Sequence, residues 1–352
     1  MIAPVVPEIG EATGTGPGVM GVLVATFAIG QIVGYPIAGR GIQRRHAIPV
    51  LVVSLGLIAV GDLGFVLGES LGVYFPARFI QGIGAGGLWM GTAFAVIERY
   101  PGREYQRLTG LTAAYGIGAI VGPAMGAAGG IRAPFLIHLV LMLVVGAGLL
   151  LLGAPRARIA YKSDRAALRS AGFWLASAGI LMVALTLGTF DGPLPIHFSE
   201  LLSQAEIGAL YVVSALVGAA FAALAGRFPP RPCLALAAIL MPAAIAVGGL
   251  TESVTIWILV AVAAGMGLGF GEAGSLGVLL ESIGLEKIVL AMVIWSQVWA
   301  VGYLAGPAAG GGVAEALGFG AIGLVPFTAA LLVLAGFLLP RLAPARSEAS
   351  RA

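Results

Sequence analysis

Eleven apolar runs of about twenty residues each, separated by short polar loops, constrain this chain more than anything else in it. Inside lipid a segment must satisfy every backbone N–H and C=O internally, which leaves helices or a closed barrel. These runs lack the two-residue alternation of barrel strands and have the length of helices that cross a ~30 Å hydrocarbon core. Helices are therefore predicted at 18–38, 47–67, 72–97, 107–129, 134–153, 171–191, 206–226, 233–250, 254–280, 288–312 and 320–340. Only 10% of residues are charged and 59% are apolar, whereas soluble domains carry about 25% charged residues. The 55 glycines and 20 prolines fit the same reading, because small residues let membrane helices approach closely and neighbours re-satisfy a proline break.

The chain also repeats itself. Gly82-Ile83-Gly84-Ala85-Gly86 leads to Glu98, and Gly265-Met266-Gly267-Leu268-Gly269 leads to Glu281, each pair 183 residues apart. Gly122-Pro123 and Gly126 return as Gly306-Pro307 and Gly310 after 184 residues. Gly39-Arg40 and Arg44 return as Gly226-Arg227 and Arg231 after 187. A nearly constant offset over separate anchors indicates a duplicated bundle, a common construction in secondary transporters. The expected units are a half-bundle over 1–153, a cytoplasmic linker over 154–170, a second half-bundle over 171–340 and a cytoplasmic tail over 341–352.

Seventeen of the nineteen Lys and Arg residues fall in alternate loops and the C-terminal tail. By the positive-inside rule those loops and the C-terminus are cytoplasmic in a multi-pass cell-membrane protein. The exceptions are Arg132, in a loop on the other side, and Arg78, inside a helix. The basic balance (formal charge +3) marks a membrane face rather than a nucleic-acid partner. One cysteine, Cys233, and three scattered histidines, His46, His138 and His197, give neither a disulfide nor a metal cluster, and no cofactor is expected.

In the second half, helix 171–191 precedes Pro193-Leu194-Pro195; in the first, only three residues precede Pro4-Val5-Val6-Pro7. The repeat thus leads one to expect an opening helix upstream of Met1, or eleven spans with the N-terminus outside.

Three segments carry a family likeness. Gly118-Ala119-Ile120-Val121-Gly122-Pro123-Ala124-Met125-Gly126 combines close-packing glycines with a proline bend. Arg78-Phe79-Ile80-Gln81-Gly82-Ile83-Gly84-Ala85 places an arginine within a membrane helix, which is costly unless the group is paired or hydrated. Gly39-Arg40-Gly41-Ile42-Gln43-Arg44-Arg45-His46 follows the first predicted helix. These resemble, in turn, the antiporter motif, the fourth-helix motif and the cytoplasmic gate loop of the major facilitator superfamily, and within it the drug:proton antiporters. The resemblance implies an all-α, two-half bundle with about eleven of an expected twelve transmembrane helices. It also implies alternating access and a proton-coupling role for Arg78. The gate loop departs from the family pattern, with Gln43 in an aspartate slot and His46 in a glycine slot, which puts the family's charge relay in doubt here.

Proton coupling needs an acid placed within the membrane. Glu272, Asp62 and Asp191 are the candidates, with Arg78 as their basic partner. Trp295, Trp299 and Tyr303 recur every four residues with Gln297 between them, and such a stripe could stack a flat or cationic solute. Trp89 and Gln31 are further cavity candidates, with Phe27 and Met90 beside them. The chain is expected to be a monomeric efflux antiporter exchanging protons for a small apolar or weakly cationic compound. An importing symporter or facilitator, or a truncated homologue that does not transport, are the alternatives. No catalytic motif supports an enzyme.

Overall fold

A computed structural model describes residues 5–15, 17–44, 47–100, 103–126, 130–152, 168–283 and 287–342. Thirteen α-helices run through them. The eleven long ones are α2 (Pro17–Arg44), α3 (Ala47–Leu67), α4 (Leu71–Arg99), α5 (Glu104–Gly126), α6 (Arg132–Leu152), α7 (Ala171–Asp191), α9 (Gln204–Ala225), α10 (Pro230–Leu250), α11 (Val254–Ser282), α12 (Ile288–Leu317) and α13 (Leu324–Leu342). Ten helices among the described residues are long and apolar enough to cross a membrane. The short α1 (Val6–Thr13) and α8 (Pro193–Phe198) precede α2 and α9 at corresponding places of the repeat. Each has a proline in its first turn, where the missing N–H costs nothing. The greater part of the expected linker, and the tail beyond Leu342, lie outside the described residues.

Several helices outrun the apolar sequence that predicts them. Helix α2 continues through Arg44, so Gly39, Arg40, Gln43 and Arg44, expected in a loop, form its last turns. Helices α4 and α11 likewise carry Glu98-Arg99 and Glu281-Ser282 in helical backbone. The local reason is that the Arg, Gln and Glu residues there are sound helix formers, and no proline stands among them.

The Gly-x-Gly-x-Gly repeat is a packing device that serves two neighbours at once. On α4 a Cβ at Gly82 would strike the Phe27 carbonyl of α2, and one at Gly84 would come within 2.7 Å of the Ser54 carbonyl of α3. Gly86 turns back toward α2, 3.1 Å from the Gln31 carbonyl. On α11 Gly265 and Gly269 meet α9, while Gly267 meets Met241 of α10. Residues two apart on a helix point to nearly opposite faces, so alternate glycines seat one long helix between two others.

The repeat is visible in the contacts. Helix α4 packs on α2 and α3 as α11 packs on α9 and α10, and α3 packs on α6 as α10 packs on α13. The halves meet through α2 with α12 and α5 with α9, two contacts that the repeat exchanges. Helix α7 lies on α12, where Gly302 and Gly306 face Leu181, Leu185 and Gly188. The matching face of α5 at Gly118 has no atom within 4 Å of a built Cβ.

Buried apolar side chains divide unevenly. One cluster spans both halves at the end carrying the basic helix termini, joining Tyr35, Ile42 and Phe94 to Leu234, Met292 and Val293. At the opposite end, among the described residues, the clusters stay within one half: Leu23, Phe65, Tyr74 and Phe135 in the first, Phe190, Tyr211 and Trp257 in the second. Among the described residues, buried apolar packing thus joins the halves at the basic end and stays within each half at the other.

Candidate transport site

On the first half, Arg78 of α4 is 7% exposed. Its Nη1 donates to Gln81 Oε1 at 2.9 Å, and Gln81 Nε2 donates to Asp62 Oδ1 of α3 at 2.7 Å. Gly61 makes the second bond possible, because any side chain there would fill the space that Gln81 occupies. Asp62 is fully buried, and its Oδ2 lies 2.8 Å from Nδ1 of His138 on α6. The Arg78 guanidinium also stands 4.4 Å from the Phe27 ring centroid, a cation–π contact worth up to ~2 kcal/mol when desolvated. A buried cation and anion are thus joined through a neutral amide, with every link hydrogen-bonded.

On the second half, α12 carries the organising side chains. Trp299 and Tyr303, four residues apart and so on one helix face, stack with centroids 5.1 Å apart and planes 10° from parallel. The Tyr303 hydroxyl donates to Asp191 Oδ2 at 3.0 Å. The Trp299 side chain lies near the Glu272 carboxyl of α11. Tyr303 is also close enough to Arg78 to act on it electrostatically across the cleft.

One turn nearer the basic end, Trp295 is nearly buried and donates its indole N–H to Ser275 at 2.8 Å. Its ring lies 6.5 Å from that of Trp89 on the first half. Gln297 donates to the Ile32 carbonyl of α2 at 3.3 Å, and a Cβ at Gly39 would come 2.7 Å from Val293. These contacts close the floor beneath Glu272.

The structure therefore brings Arg78, Gln81 and Asp62 together, joins Asp191 and Glu272 to one aromatic stack, and sets Trp89 against Trp295. Gln31 is buried against α4. Arg40 and Gln43 are exposed at the basic end, and the side chains of Arg44 and Pro123 lie outside the described part. Gly118 is exposed, whereas Gly122 and Gly126 are buried on α5. Sequence reasoning passed over His138 and did not make Tyr303 the partner of an acid. The available signals were a lone histidine in an apolar run and the four-residue spacing of Tyr303 from Trp299.

Each half of this duplicated helical bundle thus holds charged groups within helices long and apolar enough to cross a membrane. The sequence model of the Major Facilitator Superfamily matches residues 1–222. The chain belongs to the Major Facilitator Superfamily. Among curated members of the superfamily, Multidrug resistance protein 2 of Bacillus subtilis (strain 168) is 30% identical over 139 residues, covering 38% of this chain and 35% of that protein. Multidrug resistance protein 1 of the same organism is 31% identical over 127 residues, covering 36% and 33%. Quinolone resistance protein NorA of Staphylococcus aureus is 26% identical over 127 residues, again covering 36% and 33%. These matches span about a third of each relative's length. In fold, the chain is similar to the crystal structure of the human organic anion transporter MFSD10 (TETRAN), with a TM-score of 0.72 at 17% identity, over 96% of this chain and 88% of that one. Its relatives include multidrug resistance proteins, and the superfamily it belongs to is one of membrane transporters rather than enzymes.

Proposed function

We propose that this chain is a proton-coupled antiporter that expels a small apolar or weakly cationic compound by alternating access. The observation that carries the reading is the pairing of Asp191 and Glu272 with the stacked Tyr303 and Trp299, opposite a buried Arg78. Carboxyl groups inside the membrane are costly to keep and are expected to bind protons, cations or both. A flat cation on the aromatic face would sit between the two acids and compete with protons for them. The drug-resistance names of the relatives favour export over import.

In this reading the basic end faces the cytoplasm, which makes the sealed floor an inner gate and the structure outward-facing. The half-bundles over 1–153 and 171–340 rock about the site, the linker over 154–170 and the tail after 340 are cytoplasmic, and the protein works as a monomer in the plasma membrane. Glu272 is the principal coupling acid, with Asp62, Arg78 and Asp191 as its network.

The test is transport in proteoliposomes with ethidium as the probe cation. Glu272→Gln is expected to abolish efflux driven by a pH gradient while sparing ethidium exchange without a gradient. Gradient-driven efflux at the parental rate in that variant would remove Glu272 from the mechanism.

A further inference from the structure

The described residues hold one titratable side chain that joins the charged network without belonging to either half's cleft face. His138 lies on α6, six residues from Arg132, or about 9 Å along the axis. It is 26% exposed, whereas Asp62, Gln81 and Arg78 behind it are all buried. The network therefore runs from the outer surface of the bundle, through two helices, to the cleft.

We propose that His138 is a proton-accepting residue of the first half, and that its protonation is transmitted to Arg78 through Asp62 and Gln81. The proposal rests on the antiport reading for its purpose, but its physical content stands apart from it.

The hydrogen bonds fix the roles. With Asp62 ionised, the Nδ1–H tautomer of His138 donates to it, and the Nε2 lone pair is the position open to a proton. The amide of Gln81 can satisfy both neighbours in one orientation only, with its oxygen toward Arg78 and its nitrogen toward Asp62. With His138 neutral, the carboxylate of Asp62 balances the guanidinium of Arg78. When Nε2 takes a proton, the imidazolium and Asp62 form a neutral pair, and Arg78 becomes the uncompensated buried cation. Its remaining partners are the Gln81 oxygen and the Phe27 face, and the acid of the second half bonded to nearby Tyr303 is Asp191. A proton gained on α6 thus strengthens the pull between the halves.

Few other groups compete. Asp62 is the sole charged residue of α3, and α4 contributes Arg78 and the neutral Gln81. Helix α2 has no charged residue before Arg40, and α5 has none beyond Arg107. On α6 itself Arg132 pairs with Glu69 at 2.7 Å.

The experiment is nitrogen NMR of the full chain, labelled at arginine and histidine, in lipid nanodiscs over about pH 5.5 to 8. Arg78→Gln identifies the Arg78 guanidinium resonance by its loss, and the three histidines are assigned the same way. In the parent protein the Arg78 signal is expected to move in step with the His138 ring. In Asp62→Asn the His138 ring still titrates while the Arg78 signal stays fixed. In His138→Gln the Arg78 signal stays fixed as well. An Arg78 signal that keeps its pH response in either variant, or a His138 ring that never changes protonation in the parent, overturns the proposal. Should Asp62→Asn not fold, Gln81→Met breaks the same chain one link on, and an Arg78 signal that keeps its pH response in it overturns the proposal equally. Parallel ethidium flux separates the two readings. Parent protein that moves no ethidium under a pH gradient defeats the antiport reading, whereas the NMR link is decided on its own. If both hold, His138→Gln loses the pH dependence of flux contributed by the first half.

Discussion

The hydroxyl of Tyr303 donates to Asp191 at 3.0 Å and ties α12 to the end of α7 at the mouth of the cleft. Removing one partner of such a bond leaves the other unsatisfied, which costs about 1–3 kcal/mol when the group is buried. Tyr303→Phe is expected to lower thermal stability in detergent by that amount. Asp191→Asn should be milder, because an amide can still accept from Tyr303. A double-mutant cycle measures the link; additive effects of the two substitutions would show that the bond is not formed in the protein as purified.

Trp299→Phe retains a ring to stack on Tyr303 but removes the indole N–H of the side chain beside Glu272. A hydrogen bond to a charged group is worth about 1.5–3 kcal/mol. Gradient-driven ethidium efflux should therefore fall roughly tenfold or more, with gradient-free exchange reduced less. Equal losses in the two assays would assign Trp299 to substrate contact alone.

Glycines of α12 and α5, helices that the repeat makes twins, should respond differently. Gly306 faces the Leu185 carbonyl and the backbone of Gly188 on α7, with no room for a side chain. Gly306→Val must push two helices apart, and the folded peak on size-exclusion chromatography should be lost. Gly118→Ala meets nothing within 4 Å and should change stability by less than about 0.5 kcal/mol. Comparable damage from Gly118→Ala would mean that its face of α5 is covered in the membrane.

The sealed end can be locked. A Cβ at Gly39 would stand 2.7 Å from Cγ2 of Val293, within the reach of a disulfide between the two backbones. With Cys233 replaced by alanine, a Gly39→Cys, Val293→Cys pair should cross-link under mild oxidation and stop ethidium flux, which reductant restores. Cross-linking that leaves flux intact would place the moving gate elsewhere.

The helices were legible because each apolar run is long and bounded by polar loops, and the repeat announced their pairing. Their ends at the basic side were not, since Arg40 to Arg44, and Glu98 with Arg99, continue a helix as readily as they leave it. The glycine repeat could be seen, but not that its members alternate between two neighbours. Asp62, Asp191 and Glu272 stood out as acids in apolar sequence. Their partners did not, because Asp62 meets His138 across 76 residues and Tyr303 meets Asp191 across 112, and no local period encodes such pairs. The aromatic stripe of α12 was evident, yet Trp295 turns to Ser275 and the floor while Trp299 turns to an acid.

Helix α12 therefore works as a camshaft. Its three aromatic teeth engage the floor, Glu272 and Asp191 at successive turns of one stiff rod, so no tooth can disengage while the others stay in mesh. A twist of α12 that frees Glu272 must also loosen the floor and let go of the mouth. Substitutions at the three positions should consequently mask one another, and a suppressor of a defect at any one of them is best sought along the same shaft.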